Sequence, residues 1–278
     1  MHPTGAARIA GVMGWPVKHS RSPRLHGFWI ERYGIDGAYV PMQVHPDDLP
    51  AALRALRTLG FAGTNLTVPH KELTLSVLDY VNPLARRIGA ANTIVVREDG
   101  SLEGSNTDAF GFIEGIRAGA PDWKPDRPAV VIGAGGAARA VVVALLDEGV
   151  REVRIVNRTF ERGARLAEEF GAKTHEWGQW VSALDGAGLL VNTTTQGMTG
   201  EPPLEIDLAS LPTGAVVNDI VYVPLETPLL AAARRRGNPV VDGLGMLLHQ
   251  ARPGFRAWFG VDPEVTPELR AHVAAGLS

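Results

Sequence analysis

The sequence predicts an α/β fold in two parts, an N-terminal α/β region followed by a doubly wound region. Three observations carry this expectation. Short apolar runs alternate with helix-spaced patterns almost throughout the chain, the rhythm of strands and helices in layers. A glycine-rich turn, Gly133-Ala134-Gly135-Gly136-Ala137-Ala138, directly follows the apolar run Val130–Ile132 and opens a helical pattern. A Pro-rich connection, Gly119 to Pro128, stands just ahead of it and separates the two rhythms.

In the first part, strands are expected at Arg8–Val12, Gly37–Gln43, Phe61–Thr67 and Asn92–Arg97. Between them, Pro23–Tyr33 and Asp47–Leu59 place apolar residues at helical spacing. Ser22-Pro23 reads as a helix opening, an N-cap oxygen before a proline at the first helical position. Glu98-Asp99-Gly100, between Val96 and Leu102, reads as a hairpin turn. In the second part, Val130–Ile132 is a strand, Ala137–Leu146 a helix and Val153–Val156 the next strand. A helix over Phe160–Phe170 then leads to strands at Leu189–Asn192, Ala215–Asp219 and Pro239–Asp242. Leu244–Phe259 is helical again and has no strand of its own.

Composition narrows the function classes. The 278 residues are enough for two modest domains or one large one, and at 45% apolar they can bury a real core. A net charge of -3 offers no footprint for nucleic acid, and the one basic cluster, Arg234 to Arg236, reads as a solvated helix end. With no cysteine, disulfides, thiolate metal sites and a cysteine nucleophile are excluded. The N-terminus does not read as a signal peptide. The longest apolar stretch, Ala129 to Leu146, is interrupted by three glycines and Arg139 and does not read as a membrane span. The expectation is a cytoplasmic protein without nucleic-acid or membrane partners.

The glycine turn has the spacing Gly133, Gly135, Ala138. The first glycine permits a tight turn, the second lets backbone approach a pyrophosphate, and the small third residue lets helix pack on strand. The pyrophosphate would sit at the helix N-terminus, where free N–H groups favour anions. A purely structural turn would use the same residues, but the strand before, helix after and second strand on schedule favour a dinucleotide site. The next strand ends Val156-Asn157-Arg158-Thr159. It lacks the carboxylate that would bind a ribose 2′-hydroxyl, and Arg158 offers a charged donor fork for a 2′-phosphate. That points to NADP over NAD, although Arg158 as a solvated charge and Thr159 as a helix cap would look the same.

In the first part, Ser20 and Ser22 supply two hydroxyls at a helix start, suited to a carboxylate. Alone, they read better as an ordinary helix cap. Lys71 stands just past a strand end in Asn65-Leu-Thr67-Val-Pro69-His-Lys71, placed to donate or accept a proton, though a lone lysine is usually a surface charge. Ala91-Asn92-Thr93 and Gly104-Ser-Asn106-Thr107-Asp108 present amides and a carboxylate in turns, where such residues are most often turn-makers.

Together, in this order, these blocks resemble the shikimate dehydrogenase family from Gly14 to about Gly260. So do Asn192-Thr193-Thr-Thr-Gln196-Gly-Met198, Tyr222-x-Pro224-x-x-Thr227-Pro228-Leu229 and Asp242-Gly243-Leu-Gly-Met246-Leu-Leu-His-Gln250. The resemblance implies reversible, NADPH-dependent reduction of 3-dehydroshikimate to shikimate. It implies that Ser20 and Ser22 hold the carboxylate with Tyr222 nearby, and that Thr67, Lys71, Asn92, Asp108 and Gln250 meet the ring hydroxyls. Lys71 would transfer the proton at the C3 oxygen with Asp108 as its partner, without a metal. NADP would lie against Gly133, Ala134, Gly135, Gly136, Ala137, Asn157, Arg158, Thr159, Thr193, Met198, Ile220, Gly243 and Met246. The implied domains are residues 1–107 with 243–278 for the substrate and 108–242, Rossmann-like, for NADP, the last helices returning to the first domain. The cleft between them would carry the reaction, in a monomer or homodimer.

Two positions depart from the family pattern: Gly27, where many members have Asn, and Gln196, where a smaller or apolar residue is expected. The Ser20/Ser22 pair favours shikimate over quinate. An NAD-using quinate/shikimate dehydrogenase and a non-catalytic NADP-binding paralogue are the rival readings.

Overall fold

The computed structural model describes residues 3–277. The chain divides into two compact units, one built from the chain up to Thr107 together with Gln250–Ala275, the other from Asp108–His249 together with Gly276 and Leu277.

The first unit begins with β1 (Arg8–Gly14), α1 (Ser22–Arg32), β2 (Gly37–Gln43), α2 (Leu49–Thr58), β3 (Phe61–Leu66) and α3 (His70–Leu73). It continues with β4 (Tyr80–Val81), α4 (Pro83–Ile88), β5 (Thr93–Val96) and β6 (Leu102–Ser105). The strands form one sheet in the order β2-β1-β3-β5-β6-β4. β1 runs parallel to β2 and β3, and β5 is antiparallel to both β3 and β6, so the turn at 98–100 closes a hairpin as expected. Leu49, Leu53 and Leu56 recur at helical spacing along α2 and are buried in one core with Met13, Leu66 and Ile94. α4 shows both ends of the helix code. The Asn82 side chain accepts from Leu84 N–H at 2.8 Å, Pro83 opens the helix, and Gly89 ends it in the left-handed region.

In the second unit, α5 (Asp108–Gly119) precedes β7 (Ala129–Ile132), α6 (Gly136–Asp147), β8 (Val153–Val156), α7 (Phe160–Phe170) and β9 (Lys173–His175). Then follow α8 (Trp180–Leu184), β10 (Leu189–Asn192), β11 (Val216–Asp219), α9 (Pro228–Arg236), β12 (Val240–Val241) and α10 (Gly243–Phe259). All six strands are parallel, in the order β12-β11-β10-β7-β8-β9. β7 is wholly buried, which is why it reads as an unbroken apolar run rather than an alternating one. In chain order the arrangement is 3-2-1-4-5-6 from the β9 edge, the doubly wound order of dinucleotide-binding domains, whose crevice opens between strands 1 and 4. Here those are β7 and β10.

Residues 243–249 of α10 belong with the second unit, and the rest of the helix with the first. Its later turns bury Phe255 and Trp258 completely. Trp258 Nε1–H donates to the Ile94 carbonyl at 3.0 Å, and Trp29 Nε1–H to that of Glu264 at 3.0 Å. Both indoles thus gain full burial, worth roughly 1.5–3 kcal/mol for a large apolar side chain, without stranding their polar handle. α11 (Pro267–Ala274) packs beside α1.

Three local expectations are corrected. Ser22 is not the N-cap of α1: Arg21 takes that position in helical backbone, and Ser22 is already inside the first turn. Lys71 lies not in a loop but in α3, a helix too short to show a period. Asp108 is not a turn residue; it opens α5, where a carboxylate complements the free N–H groups.

Candidate active site

In the first unit, the predicted substrate residues other than Gln250, which lies in α10, follow β1 and β3 or precede β5, where backbone bonds lock neighbouring loops together. Trp15 N–H donates to the Val68 carbonyl at 3.1 Å and Thr67 N–H to that of Met13 at 2.9 Å. These bonds tie the loop after β1 to the loop after β3. Ala91 N–H donates to the Lys71 carbonyl at 2.8 Å, so α3 is pinned beside Asn92. His70, next to Lys71, is buried and its Nε2 lies 3.0 Å from the Val44 carbonyl; as a carbonyl only accepts, Nε2 carries the proton. Burial pushes the His70 pKa down.

A buried chain of amides and hydroxyls joins Asn65, Asn92, Thr93, Thr107 and Gln250. Asn65 Nδ2 donates to the Asn92 carbonyl and to Thr93 Oγ1, both at 3.0 Å. Thr93 Oγ1 in turn donates to Asn92 Oδ1 at 3.0 Å, which also accepts from Thr107 N–H at 2.8 Å. Asn92 Nδ2 donates to Thr107 Oγ1 at 3.0 Å and to Gln250 Oε1 at 3.2 Å. Every amide orientation follows from an obligate donor or acceptor, so the cluster presents a fixed polar surface. It brings Asn92 and Gln250, 158 positions apart, into contact.

Tyr39 extends the cluster toward the serines. Its hydroxyl donates to Asn65 Oδ1 at 2.6 Å. Burial raises its pKa well above the usual phenol range, opposed by a hydrogen bond with Ser22, so the phenol stays protonated. Ser22 N–H faces Ser20 Oγ at 3.3 Å, which puts the two serines in one turn. His26 stacks on the Tyr39 ring, centroids 3.9 Å apart and planes within 4°. It is completely buried, neither ring nitrogen has a hydrogen-bond partner, and its pKa is lowered by burial to about 3.

In the second unit, the glycine turn lies at the mouth of the β7/β10 crevice. Gly133 has φ +116°, and a Cβ there would collide with the Thr193 hydroxyl. That hydroxyl itself donates to the Ile132 carbonyl at 2.6 Å. Nothing lies within 4 Å of where a Cβ on Gly135 would be, and Gly135 is the N-cap of α6, so its backbone is open to an approaching anion. Ala138 is fully buried against the sheet. The residues present therefore fit a bound pyrophosphate. Arg158 is exposed at the end of β8, and Asn157 Nδ2 donates to the Thr159 carbonyl at 2.7 Å to shape that turn. Thr159 occupies the N-cap of α7 but its hydroxyl makes no capping bond.

Asp219 closes the same end of the sheet. Oδ1 accepts from Asn192 Nδ2 and Val221 N–H, both at 3.0 Å, and Oδ2 from the Thr227 hydroxyl at 2.7 Å. Burial raises its pKa to about 6, with the three donors opposing.

The structure thus gathers Ser20, Ser22, Thr67, Lys71, Asn92 and Gln250 at one end of the first sheet. It gathers Gly133, Ala134, Gly135, Gly136, Ala137, Asn157, Arg158, Thr159 and Thr193 at one end of the second. Asp108, Tyr222, Ile220, Gly243 and Met246 also belong to the second unit. Sequence reasoning quoted Thr107 within a block but gave it no role, and it missed Tyr39, Arg162 and Asp219. Arg162, whose Nη2 reaches the Ala134 carbonyl at 3.5 Å, lies in the first turn of α7, four positions after Arg158; the shared charge and the nearness to the predicted helix start could have revealed it.

Three family models match the chain: the shikimate dehydrogenase substrate binding domain over residues 12–94, shikimate / quinate 5-dehydrogenase over 121–197, and the shikimate 5′-dehydrogenase C-terminal domain over 243–267. A curated shikimate dehydrogenase (NADP(+)) of Paramagnetospirillum magneticum is 62% identical over 97% of this chain and 99% of its own. The shikimate 5-dehydrogenase of Thermus thermophilus, solved with NADP(H) and shikimate, superposes with a TM-score of 0.88 at 39% identity, covering 98% of this chain and 100% of that one. Quinate dehydrogenase from Corynebacterium glutamicum, solved with NAD, gives 0.89 at 32% identity, over 97% and 99%. On these matches, and on the two sites just described, the chain belongs to the shikimate dehydrogenase family.

Proposed function

We propose that this chain is an NADP-dependent shikimate dehydrogenase that reversibly reduces 3-dehydroshikimate to shikimate. The observation that carries the reading is near full-length identity to curated NADP-dependent shikimate dehydrogenases. The polar cluster around Asn92 and the open glycine turn supply its chemistry. When bound, NADP supplies the hydride acceptor or donor. Gly133 to Ala137 and Thr193 would hold its pyrophosphate side, Asn157, Arg158 and Thr159 its 2′-phosphate, and Met198, Ile220, Gly243 and Met246 its nicotinamide side.

Ser20 and Ser22 donate to the substrate carboxylate, with Tyr222 beside them. Thr67, Asn92 and Gln250 take the ring hydroxyls, and the rigidity of the Asn92 cluster fixes the ring's orientation before chemistry. Lys71 accepts the C3 hydroxyl proton during oxidation and returns it to the ketone oxygen during reduction, with Asp108 as its hydrogen-bonding partner. The enzyme works in the cytoplasm as a monomer or homodimer. No helix among the described residues is long and apolar enough to cross a membrane.

Initial rates with shikimate or quinate, each paired with NADP⁺ or NAD⁺, test the assignment. Shikimate with NADP⁺ should be the fastest pair. Quinate with NAD⁺ outrunning it would transfer the chain to the quinate branch of the family.

A further inference from the structure

Asp219 stands outside every role assigned so far, yet it is the knot of the second unit's C-terminal sheet edge. Its three acceptor contacts reach three segments: the last residue of β10, Asn192, the loop after β11 through Val221 N–H, and the start of α9 through Thr227. The straps continue outward. Asn192 Nδ2 also donates to the Gln196 carbonyl at 3.1 Å, and Asn192 Oδ1 accepts from Thr194 N–H at 3.0 Å and the Thr194 hydroxyl at 2.8 Å. Thr227 Oγ1 accepts from Leu230 N–H at 3.3 Å as the cap of α9. Thr193, Met198, Ile220 and Tyr222 all ride on these loops.

We propose that Asp219 is a positioning residue that holds the loops after β10 and β11 in the shape that grips the nicotinamide end of NADP. The inference rests on the cofactor reading above and deepens it.

A purely structural knot would not need a charge here. The groups that act on the carboxylate are three neutral donors, and the charged side chains on the surrounding segments are otherwise engaged or carry no share in its shift. Glu226 pairs with Arg234 at 2.9 Å, Arg235 and Arg236 end α9, and Asp242 Oδ1 accepts from Leu244 N–H. A buried carboxylate without a cation works against its own ionisation. An amide of the same shape would be easier to bury, but it cannot accept at both ends. Placed at 219, it leaves either the Thr227 hydroxyl or the Asn192–Val221 pair without an acceptor.

The test compares Asp219→Asn with the unaltered enzyme in direct binding of NADP⁺ and of 2′-phospho-ADP-ribose, which has the same phosphates but no nicotinamide. The variant should bind NADP⁺ about tenfold more weakly, the scale of one lost charged hydrogen bond, and the fragment within twofold of the unaltered enzyme. Its melting temperature at pH 7.5 should not fall, because removing a buried charge that has no cation offsets the cost of the donors left without an acceptor. Equal weakening of both ligands, no weakening of either, or a melting temperature that drops with the affinity would overturn the positioning role. The unaltered enzyme provides a second measurement: its preference for NADP⁺ over the fragment should shrink as pH falls from 7.5 to 5.5, and a constant preference would also overturn the proposal. An unaltered enzyme that binds neither ligand would overturn the cofactor reading instead.

Discussion

Acid should weaken the first unit largely through one side chain, His26. Its ring is sealed between Tyr39 and the Trp29, Phe255 and Trp258 rings, with no acceptor for a second proton. Burial holds its folded-state pKa near 3, against 6.5 for the free side chain. The depressed value fixes the sign: the unfolded chain binds a proton more readily than the folded one at every pH between these limits. Stability from the neutral ring is therefore complete above pH 6.5 and drains away as pH falls toward 3, to a total of roughly 5 kcal/mol. Between pH 7.5 and pH 4.5 the loss amounts to about 3 kcal/mol. His26→Phe keeps the flat ring on Tyr39 and removes both unpartnered nitrogens, so at pH 7.5 it should lie within about 1.5 kcal/mol of the unaltered protein. Urea unfolding of both proteins at pH 7.5 and 4.5, followed by circular dichroism and tryptophan fluorescence, measures the difference. Carboxylates and His70 titrate in both and cancel. The variant's acid loss should be smaller by about 3 kcal/mol; an equal loss in the two proteins would refute the argument.

Two further substitutions probe the cofactor site. Arg158→Ala should raise the KM for NADP⁺ at least tenfold while changing that for NAD⁺ little; equal changes would mean that Arg158 does not read the 2′-phosphate. Gly133→Ala would force a Cβ into the Thr193 hydroxyl at a left-handed φ. It should cost about 1–3 kcal/mol of stability and sharply weaken binding of both nucleotides, as thermal melts and titration calorimetry would show.

How much of this was readable before the structure depended on how local the cause was. The glycine turn, the strand Val153–Val156 and the helix Phe160–Phe170 were legible because each is dictated by consecutive residues: a positive φ, burial on both faces, a helical apolar period. The doubly wound class followed from the same rhythm. The helix at Lys71 was hidden because four residues hold no period, and α5 because glycines at 111 and 115 made a helix look like a turn. Tyr39 looked like one more strand residue. Its meaning lies in Asn65, 26 positions on, and no local pattern encodes that contact. Asp219 likewise read as a strand end, since the donors that surround it arrive from separate loops. Ser22 was read from a reliable dipeptide rule, and the helix nevertheless begins one residue earlier, leaving its side chain to the interior.

The chemistry proposed for the first unit depends on Lys71 carrying the proton at the reacting oxygen. Steady-state oxidation of shikimate with NADP⁺, read at 340 nm for the unaltered enzyme and for Lys71→Ala, tests this most directly. The variant's kcat should fall by ~10²–10⁴-fold, the usual worth of a general acid–base group, while shikimate affinity measured by direct titration changes only severalfold. Turnover within a few-fold of the unaltered enzyme would remove Lys71 from the proton path and contradict the account.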